Sequence, residues 1–187
     1  MIRTSLIVPL VLFAVLALAP GQSKAFSLFP ESPRYFWLGL GGGASKQTEE
    51  VSGAFAWNLN LASNDRIITL RNLYSFGAEA HAEDGEFIEA HGVGEWGVLY
   101  GYRFRKSIFS GTASAGLAYV SGAVVNDLQV ESVNTVGVPV SVQASLQPLP
   151  VLGLTAEVYG NLNAADSFGG YMLGLQLGWL WSKPKEE

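Results

Sequence analysis

The stretch GGYMLGLQLGWLW, Gly169 to Trp181, decides the fold. Read with a period of two, it puts Tyr171, Leu173, Leu175, Leu177, Trp179 and Trp181 on one face and Gly170, Met172, Gly174, Gln176, Gly178 and Leu180 on the other. A strand with a greasy face ending in aromatics, backed by a face of mostly small or polar groups, is the wall expected between lipid and a polar interior. The same alternation recurs about eight times along the chain, this strand included.

Strand candidates run from Tyr35 to Gly43, Val51 to Leu61, Arg66 to Gly77, His91 to Phe104, Ile108 to Ser121, Thr135 to Gln147 and Leu152 to Asn161 before this last one. The second sets Val51, Phe55, Trp57, Leu59 and Leu61 against Ser52, Ala54, Ala56, Asn58 and Asn60. In the sixth, Val136, Val138, Val140, Val142, Ala144 and Leu146 alternate with polar or small residues, and Pro139 marks a bulge or break because it lacks a ladder donor. Asn72 departs from the pattern, standing on the apolar side of the third strand among Ile68, Leu70, Tyr74 and Phe76.

Residues 1–25 read as a secretion signal: Arg3 precedes the apolar run Leu6 to Leu18, and Ser23-Lys24-Ala25 offers a small-x-small cleavage site. Thirteen residues are too few for a comfortable transmembrane helix. Residues 26–34 form a short N-terminal segment, 35–181 the barrel and 182–187 a charged tail. The cut removes Arg3 and Lys24, leaving 11 − 2 = 9 basic residues against 16 acidic, a formal charge of 9 − 16 = −7. That balance gives nucleic acid no basic surface. Cysteine is absent, which excludes disulfides and thiol nucleophiles, and only 14% of residues are charged, fewer than a soluble domain carries.

The pattern therefore predicts an all-β, closed, antiparallel eight-stranded transmembrane up-and-down barrel in the bacterial outer membrane. Connections after odd strands, at 43–50, 78–90, 121–134 and 162–167, read as longer external loops, and those after even strands as short periplasmic turns. Tyr35, Trp37, Tyr100, Tyr102, Phe109, Trp179 and Trp181 fall near periplasmic ends, where an aromatic girdle belongs. A soluble lipocalin-like barrel would share the alternation with its faces inverted, but its water-facing side should repeat Lys and Glu, which these strands do not.

Tyr35 to Trp181, with the signal and the aromatic-ended last strand, resembles the small eight-stranded outer-membrane barrel families of OmpX-like and OmpA-like architecture. These include adhesion or complement-resistance barrels and the anchoring barrel of peptidoglycan-linked porins. The resemblance is architectural, without a family motif, and the chain departs from it in the tail that follows Trp181 and in having no peptidoglycan-binding domain. It implies outer-membrane lipids, lipopolysaccharide and the barrel-assembly machinery as partners, with segments 78–90 and 121–134 as candidate contact sites for a surface partner.

Inward parity gathers Arg71, Glu95, Arg103, Glu157 and Tyr159 into a lumen network expected to plug the barrel, with Gln143 and Asn58 beside it. No catalytic, cofactor or metal residue is assigned. The alternative enzyme, a lipid A-modifying hydrolase or acyltransferase, would use His91 and Glu95 with Ser75 or Ser114. However, His91 and Glu95 lie about 13 Å apart along an extended strand, too far for a direct bond. His81 with Glu79, Glu83, Asp84, Glu86 and Glu89 lacks the ordered spacing of a cation loop and reads as a solvated acidic segment.

Overall fold

The computed structural model describes residues 35–47, 50–63, 65–77, 91–126, 129–165 and 167–180. Eight strands follow in chain order: β1 (Tyr35–Gln47), β2 (Glu50–Ser63), β3 (Arg66–Gly77), β4 (His91–Lys106), β5 (Phe109–Asn126), β6 (Gln129–Leu146), β7 (Leu152–Asn163) and β8 (Phe168–Trp179). Each pairs antiparallel with its chain neighbour, and β1 also pairs with β8, so the sheet closes into a barrel. The signal, the N-terminal segment, residues 78–90 and the C-terminal tail lie outside the described residues.

Alternation sets the two surfaces. On β8, Tyr171, Leu173, Leu175, Leu177 and Trp179 are exposed while Met172, Gln176 and Leu180, just past the strand, are buried. Val136, Val140 and Val142 of β6 are exposed in the same way, as are Trp96, Val98, Tyr102 and Phe104 of β4. An exterior this apolar is stable only against hydrocarbon, which accepts a sheet only if the sheet has no open edge.

Several strands are longer than the sequence pattern predicts. Segments 43–50 and 121–134, expected as loops, are largely strand: β1 and β2 are in register up to Gln47 and Glu50, and β5 and β6 up to Asn126 and Gln129. Neither segment keeps a period-two apolar pattern, which hid the continuation, because ladder pairing is a backbone property and persists where that pattern stops. The predicted contrast between long and short connections therefore fails for these two, and segment 78–90 lies outside the described residues.

Pro139 breaks the β5–β6 ladder without a bulge. Ala115 pairs with Val140 and Ala118 with Gly137, so two residues per strand go unpaired and the register is kept. Asn72 is outward and yet buried, because its ladder partners Trp57 and Trp96 meet edge to face over it with ring centroids 5.4 Å apart. Its Nδ2 donates to the Glu95 carbonyl at 3.2 Å, so the tryptophans shield a satisfied amide from lipid.

Closure depends on a close approach at the β1–β8 seam. Gly178 faces Trp37 with φ of +145°, a conformation that L side chains rarely adopt, and an added Cβ would stand 2.4 Å from the Phe36 carbonyl oxygen. In a gel-shift assay, unboiled wild-type protein is expected to run as a compact band that boiling converts to the unfolded position. Gly178→Val should cost about 1–3 kcal/mol and lower the temperature at which the compact band disappears; an unchanged temperature would mean that the seam does not limit closure.

Candidate functional site in the barrel interior

The interior is filled in three zones. At the end that holds both termini of the barrel, Trp37, Ala62, Ile67 and Leu180 form a buried apolar cluster with Tyr35 packed against it. Toward the other end Leu73, Val93, Val120, Val133, Phe168 and Met172 form a second cluster with Ala54, Ala56 and Tyr159. The polar zone lies between them, so the lumen is not polar throughout as the alternation alone implied.

Arg71 of β3 is the centre of that zone. Its Nε and Nη2 reach Glu95 Oε1 at 2.8 and 2.7 Å, and its Nη1 reaches Glu157 Oε1 at 3.4 Å. All three side chains are buried, so one guanidinium holds two carboxylates from β4 and β7 out of contact with bulk water. The remaining acceptors are occupied. Asn161 donates to Glu95 Oε2 at 2.8 Å, Ser141 to Glu157 Oε1 at 2.7 Å and Gln143 to Glu157 Oε2 at 3.4 Å.

From Gln143 the chain of bonds continues to the end of the barrel. Gln176 donates to Gln143 at 3.0 Å, Gln147 to Gln176 at 2.9 Å, and Arg103 to both Gln147 at 3.3 Å and the Leu180 carbonyl at 2.7 Å. Arg103 is buried, and its guanidinium lies 4.9 Å from the Trp37 ring and 5.2 Å from that of Tyr35. Carbonyl dipoles and aromatic faces thus surround this cation. A continuous hydrogen-bonded chain runs from Asn161 to Leu180 and ties β3, β4, β6, β7 and β8 together.

Arg71, Glu95 and Glu157 of the predicted set are therefore in direct contact, Arg103 joins them through three glutamines, and Tyr159 meets Arg71 through its ring at 5.9 Å while its hydroxyl donates to the Ala44 carbonyl at 3.4 Å. Gln147, Gln176 and Asn161 were missed as network members, although their inward parity was the available signal. Two girdle assignments are corrected. Trp37 is 1% exposed and Tyr35 packs beside it, both inside the barrel, while Phe36 and Trp179, ladder partners at the seam, face out. Position near a strand end, taken without parity, does not tell inward from outward. Tyr102, Phe109 and Trp179 are exposed, Tyr100 is half-buried, and Trp181 lies outside the described residues.

The arrangement offers little chemistry. Glu95, the carboxylate an esterase would need to orient its histidine, is already held by Arg71 and Asn161, and the side chains of His91 and His81 lie outside the described residues. Two small cavities flank Glu157, of about 20 Å³ and about 10 Å³, room for roughly one water in the larger.

No family model matches the chain, and no curated protein matches its sequence. Solved structures do. Ail, the attachment invasion locus protein of Yersinia pestis, solved with the heparin analogue sucrose octasulfate, superposes with a TM-score of 0.55 at 15% identity, over 78% of this chain and 97% of Ail. Neisserial surface protein A gives 0.56 at 14%, over 78% and 96%. The N-terminal barrel domain of Pseudomonas aeruginosa OprF gives 0.56 at 10%, over 80% and 100%. The chain has the fold of the small outer-membrane barrels. At these identities the likeness concerns architecture alone.

Replacing Arg71 by methionine would leave two carboxylates buried without their cation, a change expected to destabilise the barrel by about 3–5 kcal/mol. Urea unfolding in detergent micelles measures it. The triple variant Arg71→Met, Glu95→Gln, Glu157→Gln should recover most of the loss, and failure to do so would mean that the cost lies in packing rather than charge.

Proposed function

We propose that the protein is a non-enzymatic outer-membrane barrel, a closed scaffold that presents its connecting segments at the cell surface. The observation that carries this reading is the filled interior: two apolar clusters with an ion-paired, hydrogen-bonded network between them leave no continuous channel among the described residues. Outer-membrane placement is supported by the apolar exterior and by the signal-like N-terminus, with the termini on the periplasmic side.

Charge narrows what the outer end would contact. The segments joining odd strands to even ones, with the strand ends beside them, carry five acids between Glu79 and Glu89 together with Glu49, Glu50, Asp127, Glu131 and Asp166, against Lys46 alone. A surface of that sign repels polyanions and favours cationic or cation-bridged partners. The heparin analogue seen on Ail is thus a poor match for this chain despite the shared fold.

In planar bilayers the purified protein is expected to show no steady conductance, and calorimetry with sucrose octasulfate at physiological salt should show no binding. Stable single-channel steps from the wild type would overturn the closed interior, and micromolar binding of the polyanion would overturn the charge argument.

A further inference from the structure

The outer wall is not uniformly bulky. One row of outward ladder partners crosses β4 to β8 as Phe104, Gly111, Ala144, Ala156 and Leu173: a large residue, three small ones, a large residue. Phe104 lays its ring over Gly111, and Ala144 and Ala156 lower the floor between that ring and Leu173. The row toward the termini restores bulk with Phe109, Leu146 and Leu154, and the result is an apolar recess of about 730 Å³ on the lipid-facing surface. That volume lies in the range of specific small-ligand sites.

The surroundings of the recess carry cations. Lys106, the ladder partner of Phe109, is exposed at its rim, next to exposed Arg105. On the far side of its wall, outward-facing Arg66 lies 4.0 Å above the ring of Tyr102, which itself borders the recess, with its Nη1 3.3 Å from the Tyr100 hydroxyl. Asp65, 3.6 Å from Arg66, is the single carboxylate described at this end. An arginine on the outer wall of a barrel is costly except near the interface, where an anion can meet it.

We propose that this recess is a binding site for one anionic glycerophospholipid of the periplasmic leaflet, its acyl chain on the Ala144–Ala156 floor beside the Phe104 ring and its headgroup phosphate at Lys106, with the charge of Arg66 across the Tyr102 wall adding to the attraction. Charge selects this occupant over a second copy of the chain. A two-fold contact through the recess would bring the cations of the two copies together, whereas a phosphate neutralises them. The site rests on the membrane reading above, and it specifies one face and one lipid class for it.

Native mass spectrometry in dodecyl maltoside with phosphatidylglycerol or phosphatidylcholine tests the site. Wild-type protein should retain one phosphatidylglycerol about tenfold over phosphatidylcholine, a preference of about 1.4 kcal/mol. Ala144→Leu with Ala156→Leu should abolish retention of both lipids. Arg66→Gln with Lys106→Gln, at positions the interior does not use, should lose the preference and keep weak binding. Equal retention of the two lipids by wild type, unchanged retention in the filled variant, or a lipid-free dimer would overturn the site. The gel shift is read on every sample: a compact band with no lipid preference refutes the site alone, whereas a wild type without the band refutes the membrane barrel.

Discussion

In hydrocarbon, an unpaired backbone amide or carbonyl costs several kcal/mol and has no water to turn to. A sheet can meet that constraint only by closing, and the β1–β8 ladder from Phe36–Trp179 to Gln47–Phe168 closes this one. The other features of the molecule follow from it. Closure leaves one surface against lipid and one enclosed, and the period-two pattern assigns every side chain to one or the other. It also explains why glycine stands at the seam, where Gly178 yields its space to the Trp37 backbone.

The enclosed surface then has a problem of its own. Eight strands leave an interior that side chains fill, so any charge placed there must find its partner inside. Arg71 meets this by holding two carboxylates, and Arg103 by turning to a carbonyl, a glutamine and two aromatic faces. Removing both charges and partners together is often neutral or stabilising, so the network is better understood as a device that fixes one packing of the lumen than as a source of net stability. A side-chain network that spans five strands opposes slippage of register, since moving one strand by a residue would break bonds to several others.

Much of this was legible in the sequence because alternation is a local property. Strand order, the faces of β2, β4, β6, β7 and β8, and the inward ions all follow from parity. What was not legible depended on contacts between strands. Strand continuation at 43–47 and 121–126 carries no apolar alternation: the first stretch is small and polar, and in the second Val124 and Val125 are adjacent. The inward turn of Trp37 contradicted its size and its place near a rim, and a register read from its neighbours Phe36 and Leu38 was needed to see it. Asn72 looked like an error of register and is instead a covered polar residue, a role set by tryptophans on two other strands. The run from Gln143 through Gln176, Gln147 and Arg103 to the Leu180 carbonyl joins residues up to 77 positions apart, and only closure brings them together.

The whole arrangement requires the apolar parity to face lipid and the polar parity to face a closed interior. Single cysteines introduced on β6 test it most directly, without background, since the chain has none of its own. Nitroxide labels at Val140→Cys and Val142→Cys should collide freely with oxygen dissolved in the bilayer, and labels at Ser141→Cys and Gln143→Cys should be shielded from it. An inverted alternation, with the serine and glutamine positions open to oxygen or to a water-soluble relaxer, would mean that the polar parity faces outward.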